Sequence, residues 1–568
     1  MVKTANQISV AEAFLELLAS RGVDYFFGNS GTDFAPIVEA FAKRQAQGKD
    51  RPVAMTVPHE IPAVAMAHGY TMLTGRPQAV MVHVIVGTAN ALGGIINAAR
   101  TRVPLLFLAG RTPLTEKGHL GARDLGIHWA QESFDQGAMV REFVKWDYEL
   151  RFGSQIETIV DRSLSITQSQ PCGPVYLSLP REVLAATIEN FEYSDPARVK
   201  AASPTAPAPE SVGQAADILT AAKKPIAIVQ SLGRNPEGLH ILVELAELLA
   251  MPVVEQWHTH FNFPQSHPLH AGFDPAPFIK EADVILAIES DVPWFPSLSE
   301  PGPDTRIIQV ATDALFTDYP YRGFGSDVSL SGDPRLSLQA LKQALSATKL
   351  NRAAVRTRLD DWRERFQKQR QTWQTNAEAV RKDRPIDMTW ASHCIGNILD
   401  DRSIVINEYV LDPTQACFNT PGTYFRHSPS ASLGWGLGAA LGAKLANPDR
   451  NIICCVGDGA YMFGVPVSAH WVARAHHLPV LFVVFNNSRW NASQRSTLSF
   501  APDGWAAKAG SMPLCDLRPS VDFEKICQAA GGYGEKVARP QDLPAALTRA
   551  LKVIETEKRQ ALINVICG

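Results

Sequence analysis

One stretch, Asn451 to Asn487, constrains this chain more than any other. It opens with an apolar run, Ile452 to Val456, that reads as a buried parallel strand. The run stops at Gly457-Asp458-Gly459, and Val467, Trp471 and Ala475 then recur at fourfold spacing, as in a helix. A second buried strand, Pro479 to Phe485, ends at Asn486-Asn487. The pattern is a βαβ unit with Asp458 leaving one strand and Asn487 the other, both at the carboxyl edge where open α/β sheets bind ligands. A carboxylate and an amide oxygen suit Mg²⁺, which keeps positions open for water and phosphate oxygens. The flanking glycines let backbone N–H groups approach a diphosphate.

The balance of charge excludes other classes. Lys plus Arg number 54 against 57 for Asp plus Glu, a net of −3, with no basic patch of the kind that holds nucleic acid. No run of eighteen apolar residues occurs, and Met1 to Asn6 lack an apolar leader core, so a cytoplasmic enzyme without membrane attachment is expected. Eight cysteines include no CxxC pair, which argues against a disulfide scaffold or a zinc site. At 568 residues the chain has room for three α/β domains.

The GDG and NN pair, twenty-six residues apart, resembles the thiamine diphosphate motif of the acetolactate synthase, benzoylformate decarboxylase and pyruvate oxidase superfamily. In that family the Asp, the second Asn and a backbone carbonyl two residues later hold Mg²⁺ against the cofactor diphosphate. The resemblance carries those roles to Asp458, Asn487 and the carbonyl of Arg489, with Gly457, Gly459, Ala460 and Trp490 beside the cofactor. Ala460 stands where a serine is frequent.

Residues 1–190 then read as the pyrimidine-binding domain. Ser9 and Glu12 form a capping box before a helix that Gly22 ends. Strand Tyr25 to Phe27 breaks at Gly28–Asp33, a glycine turn whose Ser30 and Gly31 are candidate cofactor contacts. After Pro58-His59 comes Glu60, followed by Ala63, Ala65, Ala67 and Gly69, small residues that predict close packing. A carboxylate at a helix start is favoured by the dipole alone. The resemblance implies more, that Glu60 meets N1′ of the aminopyrimidine and so biases the tautomer that takes the C2 proton. The run Ala79 to Val86 reads as a strand, with His83 its one polar member and Asn90 beyond it as another cofactor contact. A lone strand histidine is ordinarily a satisfied core residue. The Glu60-to-His83 spacing matches the benzoylformate decarboxylase pattern, which implies an acid/base near the substrate. The long polar loop Arg111 to Gln136 carries His119, Arg123, His128 and Gln131-Glu132, and the last pair resembles the Gln-Glu of acetolactate synthases, which makes Gln131 a catalytic candidate.

Residues 191–210 include a Pro/Ala linker, and 211–350 read as a Rossmann-like middle domain. Some family members bind FAD there, but no Gly-rich fingerprint is present, which weighs against FAD. Trp294 is expected at the pocket. Residues 351–385 form a charged connecting helix, and 386–568 the diphosphate-binding domain. There Asn407-Glu408 resembles the family, while Tyr409 and Val410 replace hydroxyl residues that face the diphosphate. Ala431 precedes Leu433, which matches the bulky residue that bends the cofactor. Ser496 to Asp516 reads as a cover.

The expected fold is therefore α/β, with three doubly wound parallel-sheet domains. The resemblance implies a thiamine diphosphate- and Mg²⁺-dependent C–C lyase or carboligase acting on a small 2-oxo acid or 2-hydroxy ketone. It implies a homodimer or homotetramer with active sites at the subunit interface. Two alternatives stand beside it: a flavin-linked oxidase of the pyruvate oxidase type, and a silent relative that binds the cofactor without turnover.

Overall fold

The computed structural model describes residues 2–568. Three parallel sheets carry the chain, as the buried apolar runs predict. The first has six strands in the order Val53–Thr56, Tyr25–Gly28, Gln78–Val82, Leu105–Arg111, Val175–Pro180, Asp147–Glu149. Its pairings are parallel throughout. The strand order reverses between Tyr25–Gly28 and Gln78–Val82, so a crevice opens at their carboxyl ends. The loop Gly28–Asp33 and His83 leave the sheet at this point.

The middle sheet has five parallel strands, Val253–Val254, Pro225–Val229, Val284–Ile288, Arg306–Ala311 and Val328–Ser331. The last sheet runs Tyr424–Arg426, Ser403–Glu408, Asn451–Gly457, Leu481–Asn486, Ala561–Ile566, Tyr533–Val537. A small antiparallel ribbon, Val2–Ser9 with Thr187–Ser194, was not expected from the sequence. The capping box of Ser9 and Glu12 is present on the helix Val10–Ser20.

Two compact units result. One comprises Met1–Ala202, His427–Lys536 and Arg549–Ile566; the other comprises Ser203–Arg426, Val537–Thr548 and Cys567–Gly568. Within the first, the helix Glu60–Thr74 lies against the helix Trp435–Ala446, and their backbones touch. A Cβ on Gly442 would lie 2.0 Å from Met66 O, and one on Gly69 would lie 2.2 Å from Ala439 O. The small residues after Glu60 therefore serve this contact, as their pattern predicts.

Two local expectations need correction. The strand predicted to run to Val86 ends at Val82, and Val84–Arg100 is helical. The β-branched run favours a strand locally, but tertiary contacts at His83 and Val84 override it. Trp294 is buried in the middle core, edge-on to Phe324 at 5.1 Å. The helix carrying Val467 and Trp471 is present as Pro466–Ala475, yet both residues are exposed and Ala469, His470, Val472 and Ala473 face inward.

Candidate active site

The strand pair Asn451–Gly457 and Leu481–Asn486 is parallel, with Gly457 opposite Phe485. This register delivers Asp458 and Asn487 to one edge. Asp458 is 3% exposed and its Oδ1 accepts the Gly459 N–H at 2.9 Å. The backbone amides of Ser488 and Arg489 also act on this carboxylate electrostatically, while the Ser488 N–H itself donates to Asn486 Oδ1 at 3.2 Å. Asn487 Oδ1 accepts the Arg489 N–H at 3.1 Å. Both side chains thus stand at one sheet edge, with the Arg489 backbone bonded to Asn487 and within electrostatic range of Asp458. Burial pushes the Asp458 pKa up, and the backbone donors offset only part of that shift.

Among the described residues no group of three His, Cys, Asp or Glu side chains could hold a metal. The donors here are one carboxylate, one amide and the backbone of Arg489, a hard-oxygen set of the kind Mg²⁺ accepts when it keeps other ligands. A buried carboxylate with backbone donors but no cationic side chain fits such an ion. A Cβ on Gly459 would lie 2.3 Å from the Trp490 ring, so this glycine clears space for the indole. Ala460 is buried beside it.

Glu60 opens its helix and is 5% exposed. One long hydrogen bond reaches it, from Asn90 Nδ2 to Oε2 at 3.4 Å. Its Oε1 lies 3.2 Å from where a Cβ of Gly87 would be. His59 Nδ1 stands 3.7 Å from Oε2 but already accepts the Ile61 N–H, so it caps the helix and is not a cation for Glu60. A buried carboxylate with so few donors suits an N–H brought by a ligand.

His83 caps the helix Val84–Arg100. Its Nδ1 lies 2.5 Å from Asp33 Oδ1, and Gln131 Nε2 lies 3.2 Å from its Nε2. Asp33 is fully buried, and its Oδ2 also accepts the Val84 N–H at 3.4 Å. Val84 has φ +36°, a strained value for a β-branched residue. A Cβ on Gly31 would lie 2.1 Å from His83 Nδ1, and one on Gly110 would lie 1.7 Å from Asp33 Oδ2. These two glycines make the space for the pair. Glu132 is tied to Arg111 and Thr112, which fixes the neighbouring Gln131 against the imidazole. Ser30 is exposed.

Two positions that hold these side chains and the Leu433 loop were missed by sequence reasoning, Asp33 and Asn97. Buried Asn97 donates to Ser432 O at 2.8 Å, while its Oδ1 accepts from Ser430 Oγ at 2.8 Å and Ser432 N at 3.2 Å. These bonds hold the loop that carries Ala431, at φ +57°, and half-buried Leu433. His83, Asn90 and Asn97 are spaced seven apart, two helical turns each, so one face serves the imidazole, Glu60 and the Leu433 loop. That spacing was the available signal.

Tyr409 and Val410 belong to the other unit. There they line a cavity of about 310 Å³ with Glu255, Trp257, His258 and Arg426. Tyr409 has φ +77°, and the Arg426 guanidinium lies 5.8 Å from its ring centroid. The Asn407 side chain closes the turn, bonding Leu411 N and O at 3.0 Å each.

Three family models match: the N-terminal TPP binding domain of thiamine pyrophosphate enzymes over residues 8–139, the central domain over 212–341, and the C-terminal TPP binding domain over 412–565. The chain is 26% identical to benzoylformate decarboxylase of Pseudomonas aeruginosa, covering 96% of each. It is 25% identical to sulfoacetaldehyde acetyltransferase of Castellaniella defragrans, covering 100% of this chain and 94% of that protein. It is 24% identical to the large subunit of acetolactate synthase isozyme 3 of Escherichia coli, covering 97% and 94%. The fold matches a crystal structure of benzoylformate decarboxylase from Polynucleobacter necessarius with a TM-score of 0.79, at 22% identity and 98% coverage of both chains.

Proposed function

As the chain belongs to the thiamine pyrophosphate enzymes, we propose that it is a Mg²⁺-dependent lyase or carboligase acting beside the carbonyl of a 2-oxo acid or 2-hydroxy ketone. The observation that carries this reading is the parallel strand pair that delivers Asp458 and Asn487 to one sheet edge beside the Arg489 backbone. Asp458, Asn487 and the Arg489 carbonyl would hold Mg²⁺ and the cofactor's diphosphate end. When bound, thiamine diphosphate supplies a nucleophilic carbon and an electron sink next to the substrate carbonyl.

The chain's own residues do the rest. Glu60 holds a proton at N1′ of the aminopyrimidine, where its sparse hydrogen bonding leaves it available. Asp33 fixes His83 with its proton on Nδ1, so Nε2 accepts or returns a proton at the substrate oxygen. Gln131 steers that exchange from the facing loop. Leu433, held by Asn97 through its loop, would support the cofactor from beneath.

A second copy of the chain completes the enzyme in this reading. Large apolar side chains stand exposed on two stretches, Leu120, Trp129 and Phe134 on one, Phe500, Trp505 and Leu514 on the other. These side chains are the apolar surface that a second copy would cover.

The test combines binding with turnover. Thiamine diphosphate and Mg²⁺ together should raise the melting temperature, and neither alone should do so fully. A panel of 2-oxo acids should then release CO₂, with acyloin forming when an aldehyde acceptor is added. No thermal response to the pair of ligands, or no product from any acid or acyloin, would defeat the reading.

A further inference from the structure

The segment between Thr112 and Gln136 meets the Gly28–Asp33 loop and the His83 beside it at one place each. One is Gln131 against His83. The other is Arg123, which is 6% exposed and donates from Nη1 to Thr32 Oγ1 at 2.5 Å. Its Nε and Nη2 are also buried, and neither has a hydrogen-bond partner. Buried polar groups are ordinarily paired, and an unpaired guanidinium edge is costly. Asp33 and Glu182 act on this arginine electrostatically, but Asp33 is spent on His83 and Val84. Arg181 adds a second cation within range of both Arg123 and His128.

Nε and Nη2 form the edge of a guanidinium whose two parallel N–H groups match the two oxygens of a carboxylate. We propose that this edge of Arg123 seats an anionic group of the substrate, a carboxylate or sulfonate, that is retained in the product. The group is not the one lost as CO₂. A departing carboxylate gives up its charge on the way to the transition state, so an arginine fork on it would favour the reactant and slow the step. Arg123 is thus a specificity residue for a second anion, near His83 yet separate from it. The segment is held there by the Arg123–Thr32 and Gln131–His83 contacts. This inference rests on the lyase or carboligase reading for its link to turnover, but the anion seat itself does not require cofactor.

Calorimetry on the full chain without cofactor tests the seat directly. The probes are pairs of 2-oxo acids of four to six carbons, with and without a terminal carboxylate, such as 2-oxoglutarate against 2-oxopentanoate. At least one dianion should bind roughly 10- to 100-fold tighter than its monoanion partner. Arg123→Gln should collapse that ratio towards one, and Arg123→Lys, which keeps charge without the fork, should restore part of it. Circular dichroism checks that each variant folds. Equal binding within every pair, or an unchanged ratio in Arg123→Gln, overturns the seat. With cofactor present, comparing 2-oxoglutarate with 2-oxopentanoate as donors, and succinic semialdehyde with butanal as acceptors, shows which substrate carries the anion. Failure of thiamine diphosphate to bind would overturn the lyase reading and leave the calorimetric result standing.

Discussion

Asp33 Oδ1 lies 2.5 Å from His83 Nδ1, in a space that Gly31 and Gly110 leave by having no side chain. The carboxylate has no solvent access, so its charge acts on the imidazole with little screening. It fixes which ring nitrogen carries the proton, as second partners of functional histidines do.

Asp33→Asn should keep the fold and lower turnover by roughly 10²-fold or more. Asparagine can still accept from Nδ1–H but brings no charge to stabilise the protonated ring. The loss should fall on kcat more than on KM. Nitrogen chemical shifts of His83 should show a mixed tautomer in the variant and a single one in the parent protein. A kcat within twofold of the parent, with unchanged shifts, would remove Asp33 from this role.

Glu60→Gln should leave the melting temperature of the cofactor-free protein within a few degrees of the parent. Turnover should fall by about 10²- to 10⁴-fold. Proton exchange at C2 of bound thiamine diphosphate, followed by NMR, should slow with it. Exchange at the parental rate would show that the carboxylate does not set the pyrimidine tautomer.

Asp458 gives a pH signature. Burial raises its pKa, so the folded protein keeps this proton to higher pH than the unfolded chain does. Between the ordinary carboxylate value and the raised one the folded state binds more protons, and stability therefore falls as pH rises through that window. Above it, the cofactor-free protein carries a buried ionised group. Asp458→Asn should accordingly melt higher than the parent at pH 7 without ligands, with the gain fading once the pH drops below the ordinary carboxylate range. The same variant should lose the thermal response to Mg²⁺ with thiamine diphosphate. Melting curves across pH, with and without those ligands, test both halves.

Asn97→Ala should cost about 1–3 kcal/mol of stability, because Ser430 and Ser432 lose buried hydrogen bonds. Cofactor affinity should weaken further than stability alone explains, since the released loop carries Leu433. Denaturant titration and cofactor titration on the same variant separate the two effects.

Much of this was legible from local pattern. Buried strands are continuous apolar runs, so Ile452 to Val456 announces itself, and Asp458 and Asn487 follow from where the runs stop. The capping box at Ser9 is a purely local device and was equally plain. Features decided by distant partners were not. The run after Val82 is rich in valine and isoleucine and reads as strand, yet Asp33 takes the Val84 N–H and the chain turns into a helix. Trp294 looks like a pocket residue beside Pro293, but Phe324, thirty positions on, receives its ring. Val467 and Trp471 keep helical spacing while facing outward, because spacing gives a stripe and not the side on which the core lies.

The helix Val84–Arg100 works as a rigid comb with teeth two turns apart. A single inserted or deleted residue between His83 and Asn97 would swing the later teeth by about 100° and unseat them together. Divergence in this family can therefore rewrite the loops at will, while this rod must keep its count.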